Sequence, residues 1–376
     1  MSPVPIYREG ENFYVPHFEV KIAGHFLPND VLRDVSQVTY KDNVNEIDSF
    51  DLVVNNWDAD RQTFKYEPTD NADLWDIFDP GKELELSMGY VGNAPLMLKG
   101  QITTLEPNYP ENGVPTINVR GLNVLHKFRS KQHTWSWEKK KDSDIAAEIG
   151  KQKVSDDKPG INFRVKTDPK SRAAEDDEFV FMNNQFDIVF LLERARRHNY
   201  SVFLGKDAEG EFLNFGPSDQ PRQPEYELVW GKSLTSFRPT LTTANQVSKV
   251  TVKGWDRRTS KPISFTAEFP KDCKLNADQT AVARAVGASE EVITTPPVRT
   301  KQEAEKRAKD ELCNFRRSLI KGSGVTVGLP KLRAGNNVKV DLGGSRFDGM
   351  YFVTATTHTI GTAGYRTNFE ARREQK

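Results

Sequence analysis

The sequence predicts a mainly β chain with an α+β insertion: two antiparallel β-barrels flanking a middle α+β domain. Three observations predict it. The first and last thirds carry short runs in which apolar and polar residues alternate, the period of a half-buried strand. Gly, Pro and Asn punctuate those runs at short intervals, as in a sandwich or barrel. Between the two thirds the apolar period changes to that of a helix. The expected units are 1–125, 126–232 and 233–376, the last with a helical excursion at about 272–322.

In the first unit, Phe18–Ile22 and Leu84–Met88 alternate strictly, and turn signals stand at Pro28-Asn29, Pro80-Gly81, Gly92-Asn93, Pro107-Asn108 and Asn112-Gly113. Thr69–Phe78 is predicted as one short helix between strands. In the middle unit, Ser143–Ile149 reads as a short helix capped by Ser143 or Asp142. Ile188, Leu191, Leu192 and Ala195 place a longer helix over Asn184–His198. Tyr200–Leu204 and Phe212–Phe215, joined by a turn at Lys206–Gly210, form a hairpin. The last unit returns to strands at Val247–Val252, Val338–Leu342, Tyr351–Thr356 and Thr367–Ala371. One helix interrupts them, opened by the capping box Thr300-Lys301-Gln302-Glu303 and faced by Ala304, Ala308, Leu312, Phe315 and Leu319. The polar stretch Asp272–Pro297 ahead of it is expected to be a long excursion.

The first and last thirds also resemble each other. Gly81 and Gly335 each lead a strand, Gly100 and Gly349 lead a second, and Gly113 and Gly364 open a Gly-x-x-Thr strand that ends in Arg. These six are expected to be corner glycines, supplying the positive φ that lets a sheet curl. A repeat of this kind puts two similar barrels in one chain. Three such chains would then present six barrels in pseudo-six-fold array.

Composition excludes several classes. Lys+Arg and Asp+Glu are both 53, so there is no basic excess for nucleic acid. Lys139–Lys141 and Glu175–Glu178 read as solvated runs. Cys273 and Cys313 lie in no metal or redox spacing and are expected to be free thiols in a reducing compartment. The first residues carry no secretory pattern, and no window is apolar enough to span a membrane.

No catalytic constellation is legible, and no cofactor or metal site is expected. The six histidines occur singly, without a zinc motif. Gly231-Lys232-Ser233 lacks the leading glycine of a phosphate loop, Tyr226 standing in its place. Gly322-Ser323-Gly324 precedes a strand, the wrong context for a dinucleotide fingerprint. Asp76 with Asp79 or Glu106 is an acid/base pair only if the fold brings them together. Trp135 and Trp137 read equally as core or as a binding surface.

An ordered set of short pieces gives the chain a family resemblance along nearly its whole length. They are Val38–Asp42, Ile47–Leu52, Trp75–Gly81, Met88–Tyr90, Leu98–Thr103, Gly113–Thr116 and Gly121–Asn123 in the first unit, then Asp142–Ala146 and Phe186–Tyr200. In the last unit they are Lys253–Asp256, Pro330–Gly335, Phe347–Tyr351 and His358. In this order they resemble the phage late-control protein D family, the baseplate hubs of contractile tails, and the N-terminal part of type VI VgrG spike proteins. The resemblance implies tail-tube-like barrels, no enzymatic activity and a homotrimer around a central channel. It further implies a separate spike protein, an inner tube ring and baseplate wedge proteins as partners, with tape measure or cargo in the channel. Such a hub is made in the bacterial cytoplasm and ends in a virion tail or injection particle. A β-rich carbohydrate-binding or adhesive module is the alternative, and a glycan hydrolase a third reading.

Overall fold

The chain was analysed as a computed structural model that describes residues 13–373 apart from 14, 69–75, 152, 156–157, 174–177, 199, 218–223, 244–245, 257–258, 270, 273–288 and 318. In the first third the main strands are β1 (Pro16–Ile22), β2 (Val35–Asn43), β3 (Ser49–Asn55), β4 (Glu83–Tyr90), β5 (Leu96–Asn108) and β6 (Thr116–Asn123). The middle third holds β7 (Gln132–Lys140), α1 (Asp142–Ile149), β8 (Val165–Thr167), β9 (Glu178–Phe186), α2 (Asp187–Arg197), β10 (Tyr200–Asp207) and β11 (Gly210–Pro217). The last third runs β12 (Tyr226–Val229), β13 (Leu234–Leu241), β14 (Lys249–Asp256), β15 (Lys261–Glu268), β16 (Glu290–Val298), α3 (Lys301–Arg317), β17 (Ile320–Val327), β18 (Asn337–Asp341), β19 (Gly349–Gly361) and β20 (Gly364–Arg373).

One sheet carries strands of both the first and the last third, in the order β13-β17-β20-β19-β2-β3-β6-β5-β4-β1, with β18 also on β19 and β12 on β18. Two barrels were expected. Among the described residues the strands pair as one open sheet: the outer edge of β2 pairs with β19 of the other half, Val38 to Asn43 running antiparallel to Ala355 to Ile360, and β12 and β13 meet only at the isolated bridge of Trp230 with Leu234.

The two halves are copies in register as well as in order. The path β2-β3-β6-β5-β4 repeats as β13-β17-β20-β19-β18. In both, a bulge interrupts the first pair, between Val35 and Gln37 and between Leu234 and Ser236. A second bulge falls between Ile102 and Thr104 on β5 and between Val353 and Ala355 on β19. Gly81 N–H donates to Ile102 O (2.8 Å) and Gly335 N–H to Val353 O (2.9 Å), which pins β4 and β18 to equivalent points. The halves differ at one connection. The turn 44–48 joins β2 to β3, whereas 242–319 joins β13 to β17 and forms a unit of its own. There β14, β15 and β16 make a separate three-stranded sheet, and Ala304, Ala308 and Leu312 of α3 are fully buried with its strand residues. The helix is capped by Thr300, whose Oγ1 accepts from Glu303 N–H (3.1 Å); Glu303 Oε2 reaches back one residue further than a capping box requires, accepting from Arg299 N–H (2.8 Å).

Several expectations are corrected. Asp76–Phe78 forms a turn, while 69–75 lie outside the described residues. Glu290–Val298, inside the expected excursion, is a strand parallel to β14. Neither Ser143 nor Asp142 caps α1; Lys141 holds that position without a side-chain bond. Asp142 turns inward instead, to Arg194 Nε (2.5 Å) and His198 Nε2 (2.6 Å), because a buried carboxylate needs a cation and hydrogen-bond partners more than the helix end needs a cap. Trp135 and Trp137 pack in the middle core, and Trp137 donates Nε1–H to Glu148 (3.1 Å). Cys313 is disulfide-bonded rather than a free thiol; separation along the chain says nothing about separation in the fold.

A polar cluster is buried behind the β2·β19 joint. Asp42 Oδ2 accepts from Arg333 Nε (2.7 Å) and from Ala334 N–H (3.2 Å), and its Oδ1 accepts from the Thr356 hydroxyl. Arg333 Nη2 donates to the Tyr40 oxygen and to Met97 O (3.1 Å). Tyr40 in turn donates to Asp48 Oδ2 (3.2 Å). Burial works against the Arg333 charge, but Tyr40, Asp42 and Asp48 outweigh it and push its pKa above the ordinary arginine value. Burial, reinforced by the Asp42 charge, pushes Asp48 up to about 7. Burial likewise depresses His358 to about 4. This ring is neutral, with Nε2–H donated to Leu332 O (2.9 Å) and Nδ1 accepting from the Tyr365 hydroxyl (3.0 Å).

Replacing Arg333 by Met would leave Asp42, 5% exposed, without its cation. Arg333 itself is 26% exposed, so the expected loss in urea unfolding is about 3 kcal/mol, the lower end for a broken buried pair. A loss below about 1 kcal/mol would show that the pair does not hold the joint. Asp48 is protonated in the fold up to a raised pKa, so its contribution is full below about pH 4 and is lost as pH rises through 7. His358 runs oppositely: its contribution is full above about pH 6.5 and is lost as pH falls through 4. Asp48→Asn should therefore gain stability relative to wild type between pH 5 and pH 8. A difference that stays constant across that range would refute the assignment.

Candidate functional site

Alternation along the strands gives the large sheet one apolar and one polar face. The apolar face buries Val38, Tyr40, Leu52, Val119, Val353 and Phe369. The polar face crosses the joint between the halves without a break: Val327, Arg366, Thr359, Thr39, Asp51, Arg120 and Thr104 lie side by side on seven successive strands. On β20, Arg366, Asn368 and Glu370 point outward while Tyr365, Thr367, Phe369 and Ala371 are buried. Ser236, Arg238 and Thr240 extend the face to the last strand.

The charge on this face is mixed. Arg120 donates through Nε to Asp51 (2.8 Å) and lies 2.9 Å from Glu106 through Nη1, so one cation bridges two carboxylates. The hydrogen bond that Arg120 donates to Asp51, more than the charge, raises the Arg120 pKa above its ordinary value. Across the joint, Lys41, Arg238, Lys321 and Arg366 outnumber Glu370. The face is broad, with small hydroxyl and amide side chains between the charges.

Five of the six singled-out glycines have positive φ: Gly81 (+97°), Gly113 (+120°), Gly335 (+89°), Gly349 (+143°) and Gly364 (+82°). They sit at strand entries and turns around this face rather than in one site. Gly100 differs, lying inside β5 where a Cβ would come 2.1 Å from Leu122 O. It is needed for close strand approach, not for a corner. Asp76 pairs with Lys82 (2.9 Å) while Glu106 pairs with Arg120, so those two carboxylates take separate cations. Among the described residues no group of three or more His, Cys, Asp or Glu could hold a metal ion, and no helix is long and apolar enough to cross a membrane. Sequence reasoning missed the polar face as a unit. Its signal was present in the strict alternation of Tyr365–Ala371, but only strand order shows that eight such strands share one surface.

Three solved structures share the fold. The 43 kDa tail protein of prophage MuSo2 from Shewanella oneidensis has a TM-score of 0.68 at 14% identity, covering 95% of this chain and 98% of that one. The tail protein from Neisseria meningitidis MC58 has 0.66 at 13%, covering 96% and 97%. The c3393 protein of E. coli, a type VI secretion component, has 0.56 at 12%, covering 95% and 77%. The chain thus has the fold of phage tail and type VI proteins. No curated protein matches it by sequence. The chain belongs to the Alg8 N-terminal domain family, whose model matches residues 13–362.

Proposed function

We propose that this chain is the non-enzymatic hub of a contractile tail or tail-like injection particle, similar to late-control protein D. Three copies surround a central channel, adapting a three-fold spike to a six-fold tube. The observation that carries the reading is the in-register duplication: two equivalent units lie edge to edge in one sheet, with a polar face running unbroken across both. Three such chains supply six equivalent units. The polar face then forms the channel wall, where hydroxyls and mixed charges let cargo or a tape measure slide without sticking. A separate spike seats below, the inner tube ring above, and wedge proteins outside. The rival adhesive module expects exposed aromatics gathered on one sheet face. Here Trp255 is on β14, Phe179 and Phe181 are on β9, and Phe26 and Trp230 lie elsewhere.

Particles recovered through a tag on this chain should show sheathed tubes in electron microscopy, with three copies between spike and tube. A soluble monomer found apart from any tube, under conditions that induce tail assembly, would remove the hub reading. Reversing Lys321 and Arg366 to Glu should leave assembly intact and lower delivery of DNA or cargo at least several-fold. Normal delivery by assembled particles would exclude this face as the channel wall.

A further inference from the structure

The duplication specifies more than a count of units. Within one chain, β2 of the first half lies on the part of β19 beyond the reach of β18, from Ala355 to Ile360. The equivalents of these two partners are β13 and the part of β5 beyond β4, residues 104–108. Among the described residues no strand pairs with either outer edge, and the isolated bridge of Trp230 with Leu234 lies at the far end of β13 from Pro239–Leu241. Both edges have usable geometry. Thr242 N–H donates to Leu319 O (3.0 Å), toward β17, so Leu241 and Pro239 turn their backbone groups to the open side. Asn123 N–H donates to Asp48 O (2.9 Å), toward β3; Ile117 therefore faces β3 as well, and its partner Pro107 turns outward.

We propose that a second copy of this chain lays β13 antiparallel on residues 104–108 of β5, in the register that β2 keeps on β19. This rests on the trimeric reading above and adds the contact that would close the ring. By the shared bulges and pairings, Thr240 occupies the place of Lys41 and Glu106 that of Thr357, so these two face each other on the polar side. Leu241 and Leu105 take the places of Asp42 and Thr356. Both leucines are half-exposed in the single chain, and the contact would cover them. Pro239 and Pro107 take the places of Tyr40 and His358. At that central pair each strand lacks the N–H that the joint within one chain has, so the contact between copies forgoes a reciprocal pair of hydrogen bonds. Proline at each open edge also weakens pairing with unrelated strands, whose C=O finds no N–H donor there.

The test uses the purified full chain carrying E106C and T240C, oxidised and run without reductant, with mass measured in solution. Opposed residues in a non-hydrogen-bonded antiparallel pair lie within disulfide reach. Covalent trimers are expected from E106C/T240C and not from E106C alone or from E106C/S236C, four residues out of register. A trimer by mass with no cross-link, or with equal cross-linking in the offset pair, overturns the register and leaves the hub reading standing. A chain that stays monomeric at every concentration overturns both. Restoring one N–H with P239T should lower the concentration at which the trimer dissociates about fivefold. An unchanged midpoint would overturn the opposed prolines.

Discussion

The fold depends on the pairing of Asp42 with Arg333 behind the β2·β19 joint. Asp42 comes from the first strand of one half, and Arg333 from the loop that enters the other, so the pair exists only when the halves are correctly aligned. All the stronger acceptor positions of Asp42 are taken, by a guanidinium, an amide and a hydroxyl. A slip of one residue along the joint would turn Asp42 and Tyr40 to the polar face and leave Arg333 facing apolar side chains. A buried ion pair contributes little net stability over a well-packed apolar core, but its misplacement is costly. Its role is to fix the register in which the two halves become one surface.

That role explains why pieces scattered through the sequence act together. Tyr40, Asp42 and Asp48 stand near the start of the chain, Leu332 and Arg333 near its end, and His358 later still. They meet within one cluster. Neutral His358, held by Leu332 O and the Tyr365 hydroxyl, buttresses the backbone segment that presents Arg333. Its low pKa and the high pKa of Asp48 have one main cause, the cost of holding a charge away from water.

The duplication was partly legible in the glycines. Gly81 and Gly335 occupy equivalent places, each donating its N–H across to the same point on the next strand. The other two matches place the right strands side by side but miss the register. Gly100 aligns with Tyr351, not Gly349, because the count must run from the bulges at Ile102 and Val353. Bulges leave no fixed residue type in the sequence, so register could not be read from spacing. The helix over Asp187–Arg197 and the capped α3 were legible because each combines an apolar period with local chemistry. The buried cluster was not, since a lone Asp or Arg reads as surface until strand order brings it to a partner.

The joint within the chain and the edges left open are built from the same backbone but differ in chemistry. The inner joint carries Asp42, Thr356, Tyr40 and His358, groups that tolerate burial only with every partner in place. The equivalent open positions carry Leu241, Leu105, Pro239 and Pro107, which need no such partners. An edge exposed before assembly cannot keep a buried-type ion pair ready without paying its desolvation on every encounter. Half-exposed leucines can wait in water at small cost, and proline keeps stray strands away. Folding of one chain can therefore demand strict polar alignment, whereas the proposed contact between copies would rest on shape and modest apolar burial. In the proposed assembly the division follows from when each contact forms: the inner joint is completed once, under the constraint of a single chain, and the outer edges would stay in water until a matching edge arrives.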